Sequence, residues 1–120
     1  MFANTLTLTY AGASKVLNRT NQDNGGSEYT LYESTQEFLL KIRHSKEKNS
    51  KDGRTYRRHN VLLEHVVYAT PSSFEVKSTT SATFRHPADA ATTYGSDLTK
   101  ALSAWLNSGT VIVELAADVN

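Results

Sequence analysis

Residues 37–68, EFLLKIRHSKEKNSKDGRTYRRHNVLLEHVVY, predict two long strands joined by a charged turn. The side chains of a strand point to opposite faces at successive residues. In the first strand this alternation separates an apolar set from a largely polar one: Phe38, Leu40 and Ile42 against Leu39, Lys41, Arg43 and Ser45. We therefore expect one face of this hairpin to pack in a core and the other to meet an anion.

The net charge of +1 hides a division along the chain. Residues 41–58 contain eight basic and two acidic residues, a net charge of +6, whereas residues 88–120 contain one basic and four acidic residues, a net charge of −3. Charge concentrated in one segment is typical of a surface that binds a charged partner. A chain of 120 residues is long enough for one domain, and a thin sheet with one layer of helices would leave much of its core exposed without another subunit.

Composition excludes several kinds of site. The chain has no cysteine, so it can form neither a disulfide nor a thiolate metal site. No signal peptide or apolar stretch of membrane length is present, so we expect the protein to fold and work in the cytoplasm of the cell that makes it. We expect no metal, no cofactor, no small-molecule substrate and no membrane partner.

Four segments before the basic hairpin predict the first part of a sheet. Residues 4–10 alternate leucine and tyrosine with threonine, which is typical of a half-buried strand, and residues 14–20 are its hairpin partner. Residues 21–26, NQDNGG, predict a polar loop. Residues 28–33 predict a short strand. An N-terminal hairpin over residues 1–20 is thus followed by an antiparallel sheet over residues 27–86.

The rest of the sheet is less regular. Residues 46–53 predict an exposed turn, and the returning strand from Arg54 has no purely apolar face, so we expect a bulge or break near Asn60. Residues 70–73 end that strand. Residues 74–86 predict a last strand whose odd-numbered side chains form a polar face: Lys77, Thr79, Ser81, Thr83 and Arg85.

After Pro87 the apolar period changes from two to 3.6, which predicts a helix within residues 88–118. Its apolar stripe consists of Tyr94, Leu98, Ala101, Leu102, Trp105 and Leu106. Ser96 is a candidate N-cap, an earlier start near Asp89 also fits, and residues 107–109 end the helix. Residues 110–118 fit a strand by propensity and a short helix by pattern, and we favour the helix. Strands followed by helices give the α+β class.

This order resembles one protein family, the coat proteins of the single-stranded RNA bacteriophages, or leviviruses. The resemblance covers nearly the whole chain: an N-terminal hairpin, a short strand, a basic hairpin whose second strand begins Arg54-Thr55-Tyr56, a polar-alternating last strand and two C-terminal helices. Residues 97–102, DLTKAL, look like the start of the main helix in some members. No single motif is diagnostic, so the identification depends on the sum.

The resemblance implies a structural protein of the virion, assembled in the cytoplasm of a host bacterium. Two five-stranded sheets would join edge to edge in a homodimer, the helices of each subunit would cross onto the partner's sheet, and dimers would build an icosahedral capsid around the RNA genome. The helix stripe would then supply the residues of the core and dimer interface: Tyr94, Leu98, Leu102, Trp105 and Leu106. Residues 1–120 would form a single coat protein domain.

The resemblance also implies that the joined sheet binds RNA, including an operator hairpin whose binding represses translation. Carried over by position, the RNA-binding residues would be Lys41, Arg43, Ser45, Arg57, His59, Thr79, Ser81, Thr83 and Arg85. Arginine and lysine neutralise phosphates, and strand hydroxyls reach bases and ribose. Relatives differ in two respects, since some carry cysteines in the loop before the last strand and some an aromatic residue on that strand.

Other interpretations remain open. The basic strand face could be a solvated surface without a ligand, or the chain could be a dimeric RNA-binding regulator that forms no shell. His44, His59, His65 and His86 with Glu64 could suggest a ribonuclease or a metal site, but the chain has no HxH pair or HExxH motif. We therefore expect a protein that is not an enzyme.

Overall fold

Within residues 3–118, six strands form one sheet in the order of the sequence, each antiparallel to the one before it. The strands are β1 (Thr5–Tyr10), β2 (Ala13–Asp23), β3 (Gly26–Tyr32), β4 (Gln36–Lys48), β5 (Thr55–Val67) and β6 (Val76–Pro87), followed by helices α1 (Thr93–Leu106) and α2 (Val111–Ala116). The computed structural model describes residues 3–118, so the ends of the predicted domain, residues 1, 2, 119 and 120, lie outside it. The predicted α+β class is confirmed, and the N-terminal hairpin belongs to the same sheet as the other strands.

The sheet curls so that β1 packs over β4, and the core lies inside the curl. The ring of Tyr10 meets the ring of Phe38 edge to face at 5.2 Å, and Leu6 and Leu8 pack on the same cluster. The buried members of this cluster are Leu17, Tyr29, Phe38, Leu40 and Ile42. The predicted alternation of β4 is therefore confirmed, and its apolar set defines the core face of the sheet. The opposite side, which carries Lys41 and Arg43, is the open face.

The turn between β2 and β3 is shorter than predicted. The prediction of a loop over residues 21–26 is wrong, because β2 extends to Asp23 and β3 begins at Gly26. An oxygen of Asp23 accepts a hydrogen bond from the Gly25 N–H at 2.8 Å, which closes the tight turn. A Cβ at Gly26 would lie 1.8 Å from the carbonyl oxygen of Ile42, so only glycine permits this approach of β3 to β4. Polar residues of this segment thus belong to β2 and β3, because backbone hydrogen bonds between the strands, rather than side-chain polarity, decide their conformation.

The predicted bulge near Asn60 is wrong. β5 pairs with β4 from Thr55 to Val67 without a register shift, and its pairing with β6 is also continuous. The irregularity lies in β2 instead, between Arg19 and Asn21. β5 has no purely apolar face because most of its residues are half-buried on both sides of the sheet. The charged turn after β4 likewise begins later than predicted, since Lys46 is still paired with Arg57.

The helices follow the predicted pattern but begin differently. α1 starts at Thr93 after a residue that makes no side-chain cap bond, so the prediction of Ser96 as N-cap is wrong. Ser96 lies inside the helix, where its hydroxyl donates to the Thr93 carbonyl oxygen. The predicted end of α1 in residues 107–109 is confirmed, and the ambiguous segment 110–118 contains the helix α2.

The helices touch the rest of the chain mainly where α1 leaves β6. Gly95 is buried against His86, and a Cβ at Gly95 would lie 3.0 Å from that imidazole ring. Beyond this junction the predicted apolar stripe is largely exposed: Tyr94, Leu98, Leu102 and Trp105. The helix stripe is therefore not part of a core within one chain.

Candidate nucleic-acid interface

The open face is assembled from alternate residues of β4, β5 and β6. Residues directly opposite each other on paired strands share a face. Arg43 is opposite Asn60, which is in turn opposite Thr83, and this row runs straight across the three strands. By the same register the open face contains seven of the predicted RNA-binding residues: Lys41, Arg43, Ser45, Thr79, Ser81, Thr83 and Arg85.

Arg57 and His59 do not lie on the open face, and their predicted grouping with Lys41 and Arg43 is wrong. Arg57 is opposite Lys46 and His59 is opposite His44, which places both on the core face. The turn from β4 to β5 pairs odd residues of one strand with even residues of the other. The open face instead contains Tyr56, Arg58 and Asn60, which the sequence-based prediction missed. The number of residues in the turn is the signal that could have found them.

Carboxylates accompany the cations of the open face. Glu28 lies between Lys41, whose Nζ is 4.0 Å away, and Arg43, whose Nη2 is 3.0 Å away, and Asp23 contacts Nη1 of Arg43 at 3.2 Å. Further along, Glu47 contacts Arg58 at 3.5 Å and Arg85 at 3.0 Å. Ion pairs of this exposure contribute roughly 0–1 kcal/mol each. The face is therefore a mixed surface of fixed charges rather than a uniformly positive one.

Hydroxyl groups line the β6 side of the open face. Thr83 accepts a hydrogen bond from the Asn60 side-chain amide at 2.7 Å, which fixes two groups able to read a base edge. Thr79 and Ser81 lie on the same face and are exposed. Short polar side chains on an edge strand offer donors and acceptors without bulk, which suits contacts to bases and ribose.

On the core face, three histidines form a chain across the strands. Nδ1 of His59 lies 2.8 Å from Nδ1 of His44, and Nε2 of His59 lies 3.1 Å from Nε2 of His86. Nδ1 of His86 lies 3.2 Å from the Pro87 carbonyl oxygen. Three neutral rings fit this geometry when His44 donates to His59, His59 donates to His86 and His86 donates to that carbonyl oxygen. Burial, and then the neighbouring His44, His86 and Arg57, lower the pKa of His59. This environment favours the uncharged form of His59.

The hairpin end is held by hydrogen bonds from its own turn. Asp52 accepts from the Tyr56 hydroxyl at 2.6 Å, and this bond is the main reason that the pKa of Asp52 is lowered and that of Tyr56 raised. Arg54 donates to Asp89 at 2.7 Å, which lowers the pKa of Asp89 and links the turn to the segment before α1. The position of Tyr56 on the open face is thus well fixed.

Across residues 3–118, no group of three or more histidine, aspartate or glutamate side chains is placed to hold a metal ion. Neither helix of this part of the chain has the length and apolar character needed to cross a membrane.

The curled sheet followed by two helices is the fold of a bacteriophage coat protein. A solved structure, "Virus-like particle of bacteriophage AVE019", is similar over 100% of this chain and 98% of that chain, with a TM-score of 0.74 and 16% sequence identity. At that identity the likeness concerns the fold alone. None of the curated proteins matches the chain.

The family model "Phage phiCb5, coat protein" matches residues 3–87, which include all six strands, and the chain belongs to this family. The predicted resemblance to coat proteins of the RNA phages is confirmed. The protein is therefore a structural component of a phage virion and not an enzyme.

Proposed function

We propose that the chain is a capsid subunit that forms a homodimer, that the dimers assemble into an icosahedral shell, and that the open face packages single-stranded RNA. The observation that carries this proposal is the incomplete burial of the C-terminal part of the chain. α1 exposes 72% of Leu98 and 52% of Trp105. Fully burying side chains of this size stabilises a structure by about 1.5–3 kcal/mol each, so a second copy that covers the stripe would bind strongly.

The free edge of β6 supports the same dimer. β6 is the last strand of the sheet, so only one of its two edges is paired in the described part of the chain, and its 12 residues contain proline only at the final position, Pro87. An unpaired edge of this length is a template for another strand. Antiparallel pairing of two β6 strands would continue the sheet from one subunit to the other and would unite their open faces.

A groove on the core face suits the partner's helix. It has a volume of about 180 Å³ and lies where β1 curls over β4 and faces β6. Its lining includes Tyr10, Phe38, Leu63 and His65. An apolar side chain from α1 of the second copy would fill it, and the exposed stripe of each subunit would then be buried on the sheet of the other.

For RNA, support comes from the chemistry of the open face, which offers arginines for phosphates and a row of hydroxyls for bases. We infer that the same face binds an operator hairpin and so represses translation. A reporter gene preceded by hairpins from the cognate genome would test this: one hairpin should lower reporter synthesis when the coat protein is present. Equal synthesis from all hairpins would contradict specific repression.

Expression of the chain alone tests the assembly. We expect electron microscopy to show uniform particles and the ratio of absorbance at 260 and 280 nm to show packaged RNA. A discrete dimer in light scattering would reject the shell. If that dimer also bound RNA, the regulator would be favoured. A stable monomer would reject the dimer as well.

A further inference from the structure

The arginines of the open face fall into two classes by the atoms that hold them. Arg43 uses both terminal nitrogens, with Nη1 on Asp23 and Nη2 on Glu28. Arg58 and Arg85 contact Glu47 through Nε instead. Arginine binds a phosphate with two parallel N–H bonds, commonly from its terminal nitrogens. The contacts of Arg58 and Arg85 with Glu47 thus run through Nε, whereas the ion pairs of Arg43 use its terminal nitrogens.

Arg58 and Arg85 are also directly opposite each other on β5 and β6. Like charges in this position repel, which destabilises a sheet unless an anion lies between them. Glu47 supplies one such anion, because its two carboxylate oxygens each contact one of the arginines. One carboxylate against two guanidinium groups leaves a net charge of +1. The pair is therefore held in place and still able to attract a second anion.

An aromatic ring lies beside this pair. Tyr56 precedes Arg58 by two residues on the same face, and a cleft of about 220 Å³ lies at the hairpin end beside Tyr56 and Arg85. The cleft is lined by Glu47, Lys48, Asn49, Tyr56 and Arg85. The bond from the Tyr56 hydroxyl to Asp52 fixes the ring. Aromatic rings next to cationic groups are the usual platform for unstacked bases of single-stranded RNA.

We propose that this cleft, together with the adjoining Arg58, is a nucleotide-binding site for single-stranded RNA. One phosphodiester group binds between Arg58 and Arg85, the adjoining base stacks on Tyr56, and Glu47 is a positioning residue that holds the two guanidinium groups. The inference rests on the proposed function, in which the open face meets RNA, and it names where on that face the backbone is held. Arg43 acts mainly in the sheet's own ion pairs.

Fluorescence anisotropy tests the site. It measures the binding of a short fluorescein-labelled single-stranded RNA of mixed sequence to dimers released from dissociated particles. The double variant Arg58→Gln with Arg85→Gln should bind at least about tenfold more weakly. The slope of log affinity on log salt should fall by roughly 0.7 for each phosphate that the variant no longer neutralises. Arg57→Gln, on the core face of β5, is the control, and its affinity should stay within about twofold of the unaltered protein.

Two substitutions of Tyr56 separate the ring from its hydroxyl. Tyr56→Leu removes the stacking surface and should weaken binding by about fivefold or more, whereas Tyr56→Phe keeps the ring and should retain most of the affinity. Glu47→Gln should weaken RNA binding although both arginines are intact, because the carboxylate that positions them is removed. Equal losses in Tyr56→Leu and Tyr56→Phe would contradict stacking.

The outcomes distinguish this site from the wider proposal. If Arg43→Gln weakens binding and the double variant does not, the cleft is rejected while the open face stands. If no open-face variant weakens binding, RNA binding by this face fails altogether. Photocrosslinking of RNA that contains 4-thiouridine to the unaltered protein needs no variant to fold. We expect the crosslink in the peptide that contains Tyr56, and crosslinks confined to other segments would overturn the site.

Discussion

The strands β1 to β5 and the C-terminal part of the chain, β6 with both helices, differ in where their apolar side chains lie. Leu17, Tyr29 and Phe38 are almost completely buried within one chain. By contrast, Leu98 and Trp105 of α1 have similar character and are more than half exposed. The difference indicates that the strands close a core within one chain, whereas the C-terminal part carries an uncovered apolar surface, which the proposed dimer would bury. Substitutions in the two regions should therefore fail in different ways.

The largest expected effect is loss of assembly from a charge on the helix stripe. Leu102→Asp would place an unpaired carboxylate in the dimer interface of both copies, at a cost of several kcal/mol each. We expect light scattering to show a monomer and electron microscopy to show no particles, while circular dichroism retains the strand signal. Lys100→Asp on the same helix is the control and should still assemble. Normal particles from Leu102→Asp would remove the distinction between the two regions.

The next largest effect concerns the core of the curled sheet. Phe38→Ala should lower the free energy of unfolding by about 3–5 kcal/mol, because Phe38 is 2% exposed and its removal leaves a cavity. Phe74 is the same residue type at 92% exposure, and Phe74→Ala should change stability by no more than about 0.5 kcal/mol. Urea unfolding at one protein concentration would measure both. Similar losses would mean that Phe74 is buried in the assembled protein.

The smallest effect concerns the histidine chain at the junction of the two regions. The pKa of His59 is lowered from its ordinary value of 6.5, so the folded chain binds fewer protons than the unfolded one. Stability from this group is present above pH 6.5 and is lost as the pH falls towards the lower pKa of the folded state. The urea midpoint should thus drop on acidification, and less in His59→Gln. An identical drop in both proteins would exclude His59 as the cause.

Local periodicity was sufficient to predict the elements whose two faces differ strongly. The period-two pattern of β4 separates Phe38 from Lys41 correctly, and the 3.6-residue stripe locates α1. Both patterns depend on neighbours within a few residues, which a sequence shows directly. The burial of the stripe does not depend on neighbours of that kind, because the surface that would cover it belongs to another copy in the proposed dimer.

Register could not be predicted in the same way. β5 is half-buried on both faces, so its hydrophobicity does not show which side chains share a face with Arg43. The turn from β4 to β5 fixes that choice, and it places Arg58 rather than Arg57 on the open face. The contact of Glu47 with Arg85 joins residues 38 positions apart and depends on two registers at once. The residues of the candidate site could therefore be grouped only from the strand registers in the structure.

A cryo-electron microscopy map of the particles formed by the expressed chain would test most directly whether two copies complete each other. We expect β6 strands of two copies to pair antiparallel across a two-fold axis, with Trp105 of each subunit buried on the core face of the other. A map in which the β6 edges stay unpaired, or in which α1 covers its own sheet, would contradict it.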